Sequence, residues 1–184
     1  MEWMIRPLTE ADAAIFWALR LEALRTAPEA FGSSYEEAVQ MPLSAAAARL
    51  RNEGGSPDNF VLGACAADRL IGLTGFYREQ GTKERHKGWI WGVYVQPAAR
   101  GQGVARALME TALARLPGMA GLEQVQLAVV TTNTAARRLY DRLGFQVYGV
   151  EPHALKLGDR YYDEELRIYR LTADSGRQMA GPAS

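Results

Sequence analysis

The chain has 184 residues, enough for one domain of ordinary size around a continuous core. Lysine plus arginine and aspartate plus glutamate both number 21, so no charge excess points to a polyanion such as nucleic acid, and any electrostatic function must be local. The single Cys65 excludes an intramolecular disulfide, no metal-ligand spacing of Cys and His occurs, and no apolar run approaches the roughly 20 residues needed to span a bilayer.

The opening stretch "MEWMIRPLTEADAA" lacks the basic-then-apolar pattern of a signal peptide, which predicts a cytoplasmic protein. Residues 3–8 read as a short extended segment. Thr9 then acts as an N-cap with Asp12 in the first turn, and a helix follows to about Ala27. Ile15, Trp17, Leu19, Leu21 and Leu24 supply its broad apolar face, and Pro28 ends it. "EAFGSSYEEAVQMP" reads as a loop, after which Ser44 caps a short alanine-rich helix to about Leu50. "NEGGSPDN" breaks the chain. Residues 60–66 and 70–79 then form a hairpin with Asp68-Arg69 in its turn.

A polar loop, "QGTKERHK", leads into "GWIWGVYV", whose aromatic and β-branched residues predict a central strand. Residues 104–115 have a helical pattern stopped by Pro117 and Gly118, and "EQVQLAVV" is another strand. A second helix runs from Asn133 to Leu143 and closes at Gly144. Two strand-like runs, "FQVYGVEPHALKL" and "RYYDEELRIYRL", are split by Gly158-Asp159, and the tail from Ala173 has no pattern. Hairpin turns make some neighbouring strands antiparallel, so the chain predicts a mixed α/β domain.

Between the central strand and the next helix lies "VQPAARGQGVARALM". A helix start exposes unpaired N–H groups at the positive end of the helix dipole, and glycines let an anion approach them. The nucleoside triphosphate loop would need four residues between its glycines and a following Lys-Ser/Thr, both missing here. The dinucleotide loop needs a third glycine where Arg106 stands. What fits is Arg100-x-x-Gly103-x-Ala105, the R/Q-x-x-G-x-G/A pattern that holds the pyrophosphate of coenzyme A. With Asn133, Tyr140 and Gly144-Phe145 in "NTAARRLYDRLGF", in the order and on the elements expected, the chain resembles the Gcn5-related N-acetyltransferases, or GNAT superfamily.

That resemblance implies a single-domain α/β GNAT fold over residues 1–172, with about six to seven strands in a mixed sheet and about four flanking helices, and a disordered tail at 173–184. It implies acetyl-CoA as co-substrate, no metal, and direct transfer of an acetyl group to a primary amine in a ternary complex. The loop Arg100, Gly101, Gln102, Gly103, Val104, Ala105 and Arg106 would grip the diphosphate. Val93, Tyr94 and Val95 would offer backbone to the pantetheine and thioester carbonyl, and Asn133 would contact the pantetheine arm as well as cap its helix. Tyr140 is the candidate catalytic acid, because a phenol with an ordinary pKa of about 10 keeps its proton near neutrality.

The base stays open. "GWIWGVYV" holds no carboxylate, which leaves Glu36, Glu37, Asp163 and Glu164 in the segments that frame the acceptor in relatives. Their charge predicts a cationic acceptor, either a small-molecule amine or a protein or peptide amine. His86, His153 and Cys65 carry no motif that assigns them a role. A homodimer is compatible with this reading, and a non-catalytic acyl-CoA sensor is the alternative to an enzyme.

Overall fold

A computed structural model describes residues 2–51 and 58–171. The tail from 173 and most of "NEGGSPDN" therefore lie outside the described residues. In chain order the elements are β1 (Met4–Pro7), α1 (Ala13–Thr26), α2 (Tyr35–Ala38), α3 (Leu43–Leu50), β2 (Phe60–Ala66), β3 (Arg69–Arg78) and β4 (Lys87–Val95). They continue with α4 (Val104–Arg115), β5 (Gln124–Val130), α5 (Thr134–Arg142), β6 (Gln146–Leu157) and β7 (Arg160–Arg170).

The seven strands make one sheet in the order β1-β2-β3-β4-β5-β7-β6. Only β4 and β5 run parallel, as the intervening α4 crossover requires; every other pair is antiparallel. α1, α2 and α3 cover one face, burying Phe16, Leu24, Ala38 and Ala46 against Val61, Leu73 and Tyr94. α4 and α5 cover the other, where Leu108, Met109 and Tyr140 pack over Leu62, Val125 and Leu127. Among the described residues no helix is long and apolar enough to cross a membrane.

Three local expectations need correction. The stretch predicted as a loop contains a 3-10 turn, Pro28–Ala30, and α2, whose N-terminus is closed by Ser34 accepting the Glu37 N–H at 3.2 Å. α3 starts two residues earlier than predicted, after Pro42, so Ser44 lies inside the helix and does not cap it. The β2–β3 turn is centred on Ala67 and Asp68, with Arg69 already in the strand.

The buried face of α1 keeps Trp17, Leu19 and Leu24 of the predicted one but adds Ala13, Phe16, Arg20 and Ala23, while Ile15 is exposed. Phe16 and Trp17 set that face, because two large rings remove more apolar surface from water than Ile15 and Leu21 could. The consequence is an arginine in the middle of a core stripe.

Candidate active site

The sheet opens in its middle. β4 and β5 keep register over only three pairs, Lys87–Gln124, Gly88–Val125 and Trp89–Gln126. Beyond them β4 carries a bulge opposite Thr74, and Gly92 sits there at φ +68°, a left-handed conformation that glycine adopts without strain. From that point β4 follows β3, with Tyr94 opposite Leu73, while β5 follows β7, with Thr131 donating to the Asp163 carbonyl at 2.9 Å. A small cavity of about 70 Å³ occupies the gap, walled by Gly92 and Val93 on one side and Val130 on the other. Val93, Tyr94 and Val95, predicted to present backbone here, all line the larger cleft above it. The Val95 carbonyl is already engaged by Arg100 Nε at 3.0 Å. The Tyr94 side chain turns to the opposite face, where its hydroxyl meets Thr26 Oγ1 at 2.9 Å and Glu22 Oε1 at 3.1 Å.

At the end of β4 the chain turns into α4 through Gly101 and Gly103, both at positive φ. A Cβ built at either position meets nothing within 4 Å, so bare backbone faces open space. No side chain caps α4, whose first backbone bond runs from Ala107 to Gly103, leaving the amides of Val104, Ala105 and Arg106 without helical partners. Val104 itself is core, which anchors the turn. Gln102 braces it from within by donating to the Ala98 carbonyl at 3.2 Å. Arg100, Arg106 and Arg142 line the adjoining cleft of about 740 Å³, with Arg106 also paired to Glu110 at 2.7 Å. Free amides, open glycines and three cations around one cleft fit a diphosphate.

The opposite wall is α5. Asn133 Oδ1 accepts the Ala136 N–H at 3.1 Å, so its carbonyl oxygen caps the helix while the residue lines both the cleft and the gap cavity. Ala136 and Tyr140, four apart and on one face, both reach the gap cavity. Tyr140 is buried against Phe145, with ring centroids 5.9 Å apart. Burial pushes its pKa well above the ordinary phenol value, against a smaller opposing pull from Arg167.

α5 is pinned to β7 by an ion cluster that sequence reading missed. Arg167, 2% exposed, donates to Glu165 Oε2 at 2.6 Å and to Asp141 Oδ1 at 2.6 Å, and Arg137 meets Glu165 Oε1 at 2.6 Å. Burial alone would raise the Glu165 pKa, but hydrogen bonds from Arg137 and Arg167 outweigh it and hold the carboxyl below its usual range. The signal was the alternation of Glu165, Arg167 and Tyr169 in "EELRIYR", which puts all three on one face.

The predicted acceptor residues do not form one cluster. Glu36 lines a hollow of about 470 Å³ between the α1–α2 segment and the β6–β7 hairpin, but Arg25, Glu29 and Lys156 line it too, so its charge is mixed. Glu37 is exposed on α2 and is not among the residues that line the hollow. Asp163 Oδ1 accepts the His153 N–H at 2.7 Å, where His153 (φ +55°) forms a bulge in β6. Glu164 stands opposite Val130, a wall of the gap, on one side and Glu151 on the other, and is not itself among the residues that line the gap cavity. Burial, and then the Glu151 charge, raise its pKa. Among the described residues no group of three or more His, Cys, Asp or Glu side chains could hold a metal.

Seven strands with this order, split between β4 and β5 over a glycine turn, define an acetyltransferase fold of the class the motifs suggested. The acetyltransferase (GNAT) family model matches residues 19–145, and the chain belongs to that family. A mycothiol acetyltransferase of Salinispora tropica is 38% identical over 88 residues, which cover 47% of this chain and 28% of that relative. The chain thus matches under a third of that relative's length. A GNAT acetyltransferase from Streptococcus pneumoniae superposes with a TM-score of 0.83 at 21% identity, covering 92% of this chain and all of that one (100%). YncA of Salmonella typhimurium, solved with its cofactor acetyl-CoA, gives 0.74 at 20% identity, covering 94% and 96%.

Proposed function

We propose that the protein is an acetyl-CoA-dependent N-acetyltransferase that transfers the acetyl group directly to a primary amine bound in the same complex. The observation that carries this is the gap between β4 and β5, which has the glycine turn at one end and Tyr140 in its wall. Acetyl-CoA, when bound, supplies an activated acyl group as a thioester. The amides of residues 103–106 and the cations Arg100, Arg106 and Arg142 hold its diphosphate, and Asn133 and Val93 flank the arm that enters the gap.

Tyr140 keeps a proton at its hydroxyl across the neutral range, because burial opposes the phenolate, and it gives that proton to the leaving sulfur. Glu164 accepts the proton of the attacking amine, directly or through water. Its raised pKa makes it a better base than a solvated carboxylate.

Two measurements test the reading. Calorimetry is expected to show acetyl-CoA binding with no comparable binding of NAD, and a library of primary amines is expected to include some that release free thiol from acetyl-CoA. Binding without amine-dependent thiol release would make the chain an acyl-CoA-binding module; binding of neither ligand would remove the cofactor assignment.

A further inference from the structure

Arg20 has no ion pair or hydrogen bond among the described residues, although it lies in the core stripe of α1 and is 6% exposed. Its Nη1 is solvent-excluded and without a hydrogen-bond partner. Its guanidinium rests over the Phe31 ring at 4.8 Å and over the Trp91 ring at 6.0 Å. Such contacts return only part of the hydration that a buried guanidinium loses. The carboxylate two residues on in the same helix, Glu22, does not serve it, being held by Tyr94 Oη at 3.1 Å and Gln96 Nε2 at 2.7 Å. Arg49, the other charge that acts on Arg20, is also a cation.

The place of this cation matters. Arg20 Nη1 lies 3.7 Å from where a Cβ on Gly92 would stand, on the side of β4 that faces α1 and away from α5. Gly92 is a wall of the gap cavity, and the opposite wall, Val130, is in register with Glu164. The gap is therefore bracketed by a guanidinium behind one wall and a carboxylate beside the other. Phe31, whose ring covers Arg20, lines the gap cavity, the cofactor cleft and the acceptor hollow, so that one ring separates the cation from all three.

Resting on the transferase reading above, we infer that the acceptor is an amine with a carboxylate on or next to the carbon bearing its nitrogen, an amino acid by class, and that Arg20 binds that carboxylate. The ammonium then faces Glu164 and the carboxylate faces Arg20, so one small zwitterion satisfies both groups. A chain-terminal amine of a protein, which lacks the adjacent carboxylate, satisfies only one.

The test uses matched pairs, such as L-phenylalanine with phenethylamine and L-methionine with 3-methylthiopropylamine. Binding to the purified chain is read by calorimetry and turnover by thiol release from acetyl-CoA. In the wild type the amino acid of each pair is expected to show a KM lower by about 10–100-fold, and in Arg20→Met that advantage disappears, with partial recovery in Arg20→Lys. Arg20→Met removes an unpaired buried charge and keeps an apolar chain, so its Tm is expected to equal or exceed that of the wild type. Equal use of both members of each pair by the wild type, or equal weakening of both in Arg20→Met with a lowered Tm, would overturn the inference and leave Arg20 as a clamp on two rings. Thiol release confined to amines without a carboxylate also overturns it, while the transferase reading stands. Arg20-dependent amino-acid binding with no thiol release from any amine does the reverse.

Discussion

The two walls of the gap are built on different principles. The donor side comes from two continuous segments, residues 93–106 and 130–142, and much of what it presents is backbone: free amides, open glycines and a helix N-terminus. On the reading proposed above, the acceptor side draws on side chains of separate elements, Arg20 on α1, Phe31 after it, Trp91 on β4 and Glu164 on β7. A diphosphate has one shape and one charge, so a short backbone motif suffices to hold it. An acceptor is recognised by its own functional groups, and those can be met only by side chains brought together by the whole fold.

The largest expected effect belongs to Tyr140, where the donor wall touches the chemistry. Tyr140→Phe keeps the ring against Phe145 and removes only the hydroxyl, so kcat is expected to fall by roughly 10²–10⁴-fold with acetyl-CoA affinity nearly unchanged. Wild-type turnover with a cognate amine would reduce Tyr140 to packing and erase the functional contrast between the walls.

Next comes the support behind that wall. Glu165→Ala leaves Arg167 buried beside one remaining carboxylate, Asp141, and is expected to cost about 3–5 kcal/mol in denaturant unfolding. Because Glu165 titrates below its unfolded value when folded, its contribution is complete above the ordinary carboxylate range and lost as pH falls through the lowered value. The variant should therefore lose less stability on acidification than the wild type over that window. Parallel acid-unfolding curves would show that the cluster does not hold α5 in place.

The order of strands and helices was legible because it depends on local periodicity, and the cofactor loop was legible because its parts are contiguous. Glu165 and Arg167 were not, since charges at alternate strand positions ordinarily mark a solvated face; here Arg167 finds Asp141, 26 residues earlier in the chain. Arg20 was hidden for a related reason. The stripe at 13, 16, 17, 20, 23 and 24 has helical spacing, but counting only apolar residues passes over the arginine within it. The bulge at Gly92 depends on strand pairing with β3, which no short stretch of sequence encodes.

The comparison sharpens at Gly103. Its φ of +80° and open Cβ position make Gly103→Val a double obstacle, straining the turn and filling the space above the amides. Acetyl-CoA affinity is expected to fall by about a hundredfold in a variant that remains folded by circular dichroism, with amine recognition intact. Unchanged affinity by calorimetry would mean that backbone approach at this turn does not hold the diphosphate.

The smallest effects separate the acidic residues of the acceptor side from one another. Glu164 is partly buried in register with Val130 and has a raised pKa, so the activity that depends on its ionised form should rise with pH through a value above the ordinary carboxylate range and then level off. In Glu164→Gln that acidic limb should vanish and kcat fall by about tenfold, a modest loss because Glu151 stands directly across the β6–β7 ladder and can take over part of the proton transfer. Glu36 and Glu37 are exposed on α2, and the hollow that Glu36 lines already holds Arg25 and Lys156, so neutralising both glutamates changes a charge that solvent and neighbours screen. Glu36→Gln with Glu37→Gln is expected to move kcat/KM by less than about threefold, with the pH profile unaltered. If the double variant instead loses the acidic limb while Glu164→Gln keeps it, the base lies on α2, and the acceptor wall is organised around the helix rather than around the gap between the strands.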